Sequence, residues 1–112
     1  MEEYFVIDNR EVWRKQPYIS LEMRRGYTWD LLKAVRLTRD QINEAWGDAE
    51  AAGRMADKTR EKLFVPCDVV ERLSFPAPAD GDAYPGHGPV ILRHPAIIEQ
   101  LRKASVRPEA VS

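Results

Sequence analysis

LLKAVRLTRDQINEAWGDAEAAGRM, residues 31–55, is the stretch whose reading decides the architecture. Thr38 is a hydroxyl residue suited to an N-cap, and Gln41 follows three positions later, so the pair forms a T-x-x-Q capping box. From there Ile42, Ala45, Trp46 and Ala49 recur at i, i+3, i+4 and i+7, one apolar stripe of an amphipathic helix. Gly53 supplies a left-handed C-cap, with Arg54 just past it. These signals predict a helix over about 39–52. Its outward side carries Arg39, Asp40, Asn43, Glu44, Gly47 and Asp48, so acid outnumbers base there.

Upstream, Thr28 caps a second predicted helix over about 29–35, with Trp29, Leu32 and Val35 at helical spacing. Pro17 opens another over about 17–25, with Tyr18 and Leu21 inward and Gly26 as its stop. Tyr4-Phe5-Val6-Ile7 reads as a strand before the turn chemistry of Asp8-Asn9. Downstream, residues 54–62 admit two readings. The helix continues, or 54–56 and 62–65 form a hairpin around a polar turn and Pro66 stops it. Gly53 and the β-rich Leu63-Phe64-Val65 favour the hairpin. Residues 68–73 read as a short helix, and 74–88, with three prolines and three glycines, as a loop. Residues 89–93 read as a strand. Pro95 opens a last helix to about residue 104, with Ile97, Ile98 and Leu101 inward, and 105–112 is a loose tail.

The chain has 112 residues, enough for one domain with one modest core. With 17 Lys and Arg against 18 Asp and Glu the net charge is −1, which counts against a strong general grip on phosphates but not against a local basic patch. The one cysteine, Cys67, allows no intramolecular disulfide and suits a reducing, cytoplasmic setting. It reads as a small, partly buried core residue. No apolar stretch reaches the roughly 18 residues of a membrane span, and the acidic start does not suit a secretory signal.

Residues 17–66 resemble a winged helix-turn-helix domain. The resemblance lies in the register of MRRGYTWDLLKAVRLTRDQINEAWGDAEAAGRM, residues 23–55: a helix ending at glycine, a capped helix, Leu37 in the turn, and Thr38 opening a recognition helix. Arg36 departs from the pattern, standing where these domains place a glycine that tolerates a left-handed backbone. The resemblance implies an α+β fold: a winged-helix-like three-helix core with a β-hairpin wing, an N-terminal strand and a C-terminal strand and helix. It implies a small DNA-binding regulator or accessory protein of a bacterium, phage or mobile element. Thr38 would start the recognition helix, Arg39, Gln41 and Asn43 would read bases of duplex DNA, and Arg25, Lys58 and Arg60 would hold phosphate.

The acid on the helix supports an alternative, a protein-interaction adaptor on the same scaffold. Asp40, Glu44 and Asp48 would then meet a basic protein, and Phe75 and Tyr84 of the proline-rich loop would add apolar contacts. No triad, no metal-ligand spacing around His87 and His94, and no phosphate-cradling loop is present, so neither enzymatic activity nor a cofactor or metal is expected. Trp29 and Trp46 read as core. Trp13, beside Arg14-Lys15, reads as exposed, and stacking on single-stranded bases is one use of such a ring. An isologous homodimer on the C-terminal helix is allowed by the pattern without being supported by it.

Overall fold

The fold is organised by its first strand. The computed structural model describes residues 2–51 and 62–106. In it β1 (Tyr4–Asp8) is buried at every position. Tyr, Phe, Val and Ile suit a pleated surface packed on both sides, and β1 is paired on both edges. Four more strands surround it: β2 (Ser20–Glu22), β3 (Tyr27–Thr28), β4 (Arg36–Leu37) and β5 (Lys62–Pro66). All pairings are antiparallel. β5 runs along one whole edge of β1, from Tyr4 opposite Pro66 to Asp8 opposite Lys62. The other edge is shared. Ile7 and Asp8 pair with Leu21 and Ser20 of β2, while Tyr4 and Phe5 pair with Leu37 and Arg36 of β4. β3 extends the sheet beyond β2.

Residues directly opposite each other in antiparallel strands project to the same face. Tyr4 and Val6 therefore share a face with Leu37 and Phe64, and α1 (Arg39–Ala51) covers this end with Ile42 and Trp46. The rings of Trp46 and Phe64 lie 5.9 Å apart. On the opposite face Phe5, Ile7, Leu21, Leu63 and Val65 form the main core with Val70 of α2 (Cys67–Leu73) and Leu101 of α3 (Pro95–Ala104). The result is an α+β domain with helices on both sides of a small sheet.

Local chemistry sets the helix ends. The Gln41 backbone N–H donates to Thr38 Oγ1 at 3.4 Å, and the Thr38 N–H donates to Gln41 Oε1 at 2.9 Å, so the capping box forms as read. Pro95 begins α3, and His94 Nδ1 accepts from the Ala96 N–H at 3.1 Å. α2 follows β5 without a linker, and the Cys67 N–H is taken by the Glu3 carbonyl at 2.9 Å. Cys67 is buried, which pushes its thiol up to about 11, so it packs as a small apolar group and is not a thiolate at neutral pH.

Two predicted helices are absent. Over 17–25 the chain forms β2 and a turn into β3, because Ile19 and Leu21 face the core while Ser20 and Glu22 face the other way. Gly26, at φ +84°, turns this hairpin and does not stop a helix. Over 29–35 there is one turn only. The Asp30 carboxylate accepts from the Leu32 N–H at 2.8 Å and its carbonyl from the Lys33 and Ala34 N–H groups, but Leu31 is the buried residue and Leu32 is 75% exposed. The Thr28 hydroxyl accepts from the Asp30 N–H at 3.0 Å. The three-helix core therefore does not form, and the stripe of α1 seats on the sheet instead of on two earlier helices.

β5 lies where a strand was read, but its partner is β1 and not residues 54–56. The strand expected over 89–93 reduces to bridges between Val90 and Phe75 and between Leu92 and Tyr18. The wing turn, its alternative helix extension, the Gly53 cap, Arg54, the Ala49 side chain and the tail from 107 lie outside the described residues. Among the described residues no helix is long and apolar enough to cross a membrane.

Candidate ligand-binding site

Past the part of the sheet that α1 covers, the same face turns polar and then aromatic. Asp8 is 1% exposed and shares this face with Lys62 of β5 and Ser20 of β2. Lys62 Nζ reaches Glu22 Oε2 at 3.0 Å. Arg10 clamps Asp8, with Nε 3.0 Å from both carboxylate oxygens, and sends Nη2 to the Tyr27 hydroxyl at 2.9 Å. The guanidinium also lies 5.3 Å from the centre of the Tyr27 ring. Tyr27 in turn meets Trp13 edge-on at 5.2 Å.

Beside this clamp opens a cavity of about 310 Å³. Trp13, Tyr27, Trp29 and Tyr84 provide its aromatic walls, and Gln16, Ser20 and Thr28 its polar lining. Tyr27 lies in β3 and Trp29 follows directly after that strand. Trp29 is braced edge-on by buried Tyr18 at 5.2 Å. Tyr84 is carried in by the proline-rich loop and anchored by its hydroxyl, which donates to Asp30 Oδ2 at 3.2 Å. His87 and Lys33 also approach its ring, at 4.6 Å each.

Two buried carboxylates stand behind the walls. Burial by itself would raise the Asp8 carboxyl, but the Arg10 side-chain and backbone hydrogen bonds outweigh it and hold it below its ordinary value. Burial also pushes Asp30 (3% exposed) upward, and the Gly88 and Leu32 backbone N–H groups, His87 and Tyr84 outweigh that. Both groups hold protons more weakly in the folded chain than in the unfolded one. Their contribution to stability is complete above the ordinary value of 3.8 and is lost as the pH falls through the depressed folded values. Urea unfolding repeated down a pH series should show this loss, and Asp8→Asn should flatten it.

Of the residues expected to read DNA, Thr38, Arg39, Gln41 and Asn43 lie in the cap and first turns of α1. Arg39 lies 5.8 Å from the centre of the Tyr4 ring, packed on its own sheet. Asn43 is half-buried with Oδ1 shielded from solvent, and Thr38 and Gln41 are engaged with each other in the cap. Arg25 is exposed in the β2–β3 turn, away from the part of the sheet that α1 covers. Lys58 and Arg60 lie outside the described residues. Asp40, Glu44 and Asp48 do form one exposed stripe on successive turns of α1. Phe75 is half-buried against Tyr18 at 6.2 Å, whereas Tyr84 is exposed at the cavity.

The pocket residues Ser20, Tyr27, Thr28 and Trp29 are the ones a helical reading of 17–35 conceals. No protein-family model matches this sequence, and comparisons with curated proteins and with solved structures likewise return no match.

Proposed function

We propose that this protein is a non-enzymatic binding module that takes a flat ring of its partner between the aromatic walls of the pocket. One observation carries this reading: four aromatic side chains from three separate stretches of chain converge on one cavity, two of them tethered through buried carboxylates. Aromatic surface held in place before binding costs little conformational entropy on association, which is how a small site gains affinity. A catalytic role draws no support, since the carboxylates beside the pocket are already occupied by Arg10, by backbone N–H groups and by Tyr84.

The reading is tested by tryptophan fluorescence. Trp13 and Trp29 line the pocket, whereas Trp46 packs against Phe64. On a Trp46→Phe background, nucleosides, a proline-rich peptide and indole report on the two pocket tryptophans. At least one should give a saturable change that Trp29→Ala weakens about five- to hundredfold and Trp29→Phe largely restores. A flat response to all three ligands sinks the proposal.

A second reading keeps the adaptor role for α1. Asp40, Glu44 and Asp48 are exposed, and no cation pairs with them among the described residues. A basic protein docked there would be released by Asp48→Lys, whereas pocket ligands would not be.

A further inference from the structure

The charge around the pocket selects among ring-bearing partners. Arg14 and Lys15 are exposed and lie in sequence between the lining residues Trp13 and Gln16. Arg24 and Arg25 are exposed in the turn that immediately precedes Tyr27. Lys33 stands 4.6 Å from the centre of the Tyr84 ring. Among the described residues no carboxylate forms an ion pair with Lys15, Arg24 or Arg25. Of the nearby acids, Asp8 and Asp30 are buried and engaged, Glu22 is paired with Lys62, and Asp80 and Asp82 lie in the loop that leads into Tyr84. The exposed acid of α1 belongs to the other end of this sheet face. A chain with net charge −1 thus sorts its charge into an acidic helix and a basic pocket rim.

We infer that the pocket takes a base of a single-stranded nucleic acid, with the adjoining phosphates lying over Arg14, Lys15, Arg24 and Arg25. The inference rests on the ring-binding reading above and adds the class of partner. Aromatic walls with a basic border match what a single strand presents: π-faces on a polyanion. A cationic ring or side chain would meet walls already approached by Arg10 and Lys33 and a rim of like charge. A cavity of about 310 Å³ lies at the small end of ligand pockets and suits one unstacked base instead of a base pair. Duplex DNA keeps its bases stacked and would offer the pocket only its backbone. Asp80 and Asp82 disfavour phosphate on the Tyr84 side, so the strand leaves across Arg24-Arg25 and Arg14-Lys15.

The full-length chain is titrated at several salt concentrations with short oligothymidylate, with the same-length RNA, with a duplex of that length and with a neutral proline-rich peptide. A single strand should quench tryptophan fluorescence at least tenfold more tightly than the duplex. Its affinity should fall with salt, with a slope of about −0.7 per phosphate contacted. The double substitution Arg24→Glu with Arg25→Glu, exposed and outside the core, should weaken single-strand binding and flatten that slope. Asn43→Ala on α1 should leave both unchanged. Duplex binding as tight as single-strand binding overturns the inference. So does a single-strand affinity indifferent to salt and to the double substitution. If the peptide binds and no single strand does, the nucleic-acid inference falls while the ring-binding reading stands. If neither the peptide nor a single strand binds, the inference falls, and the nucleoside and indole arms of the earlier titration decide the ring-binding reading separately.

Discussion

Phe64→Ala should lower the stability of the domain by about 3–5 kcal/mol, the usual cost of emptying a large aromatic site in a closed core. Phe64 is fully buried and sits opposite Val6 in the β1–β5 ladder. Its ring meets Trp46 of α1 at 5.9 Å, and its carbonyl accepts the Val106 N–H at 2.8 Å. One residue therefore joins the central strands, α1 and the chain beyond α3, its ring meeting Trp46 and its backbone carbonyl meeting Val106. Because α1 has a polar outer face and rests on few buried residues, its hold on the sheet weakens with the loss of this ring. Urea unfolding should show a midpoint shift together with loss of near-ultraviolet dichroism from Trp46. A shift below 1 kcal/mol would mean that α1 is held by something other than this aromatic contact.

Gly88→Ala should destabilise the fold by about 1–3 kcal/mol, the range for overpacking, and should loosen the pocket as well. Gly88 is buried, and its N–H donates to the Asp30 carboxylate. A Cβ at this position would clash with Asp30 Oδ1 and stand within 2.9 Å of Leu32 Cγ and Cδ1. Leu32 is an exposed, flexible side chain and moves aside cheaply. Asp30 does not, because the same carboxylate also accepts from the Leu32 N–H and the Tyr84 hydroxyl. Displacing it exposes a buried charge to loss of its donors and releases the Tyr84 wall. Thermal denaturation measures the first effect, and the pocket titration measures the second. If both stay at the wild-type value, Asp30 is not the anchor of the Tyr84 loop.

The elements that were legible are those in which local chemistry and tertiary packing agree. The Thr38–Gln41 capping box and the Ile42–Trp46 stripe set α1, and Pro95 with Ile97, Ile98 and Leu101 set α3. The Tyr4–Ile7 run lies within β1, and Leu63-Phe64-Val65 within β5. The segment from 17 to 35 reads as helical because Pro17 and Gly26 resemble helix punctuation, while the alternation of Ile19, Ser20, Leu21 and Glu22 is only a few residues long. Two or three strand residues leave a weak periodic signal. β2 is stable because it pairs with β1, and nothing inside its own sequence makes it a strand. Asp30 falls within the segment that reads as a helix, and its burial beside Gly88 and Tyr84 makes it the anchor of a loop 54 residues downstream.

By itself, the amino-acid order determined a one-domain α+β composition, two well-capped helices and two strongly apolar strands, since each depends on contacts within a few residues. Only the tertiary structure decided which strand meets which, and that the stripe of α1 lies on a sheet. It also decided that Trp13, Tyr27, Trp29 and Tyr84 share one cavity. Those outcomes rest on pairings across tens of residues, such as Asp8 with Lys62 and Tyr84 with Asp30, whose energy exists only once the chain has closed on itself.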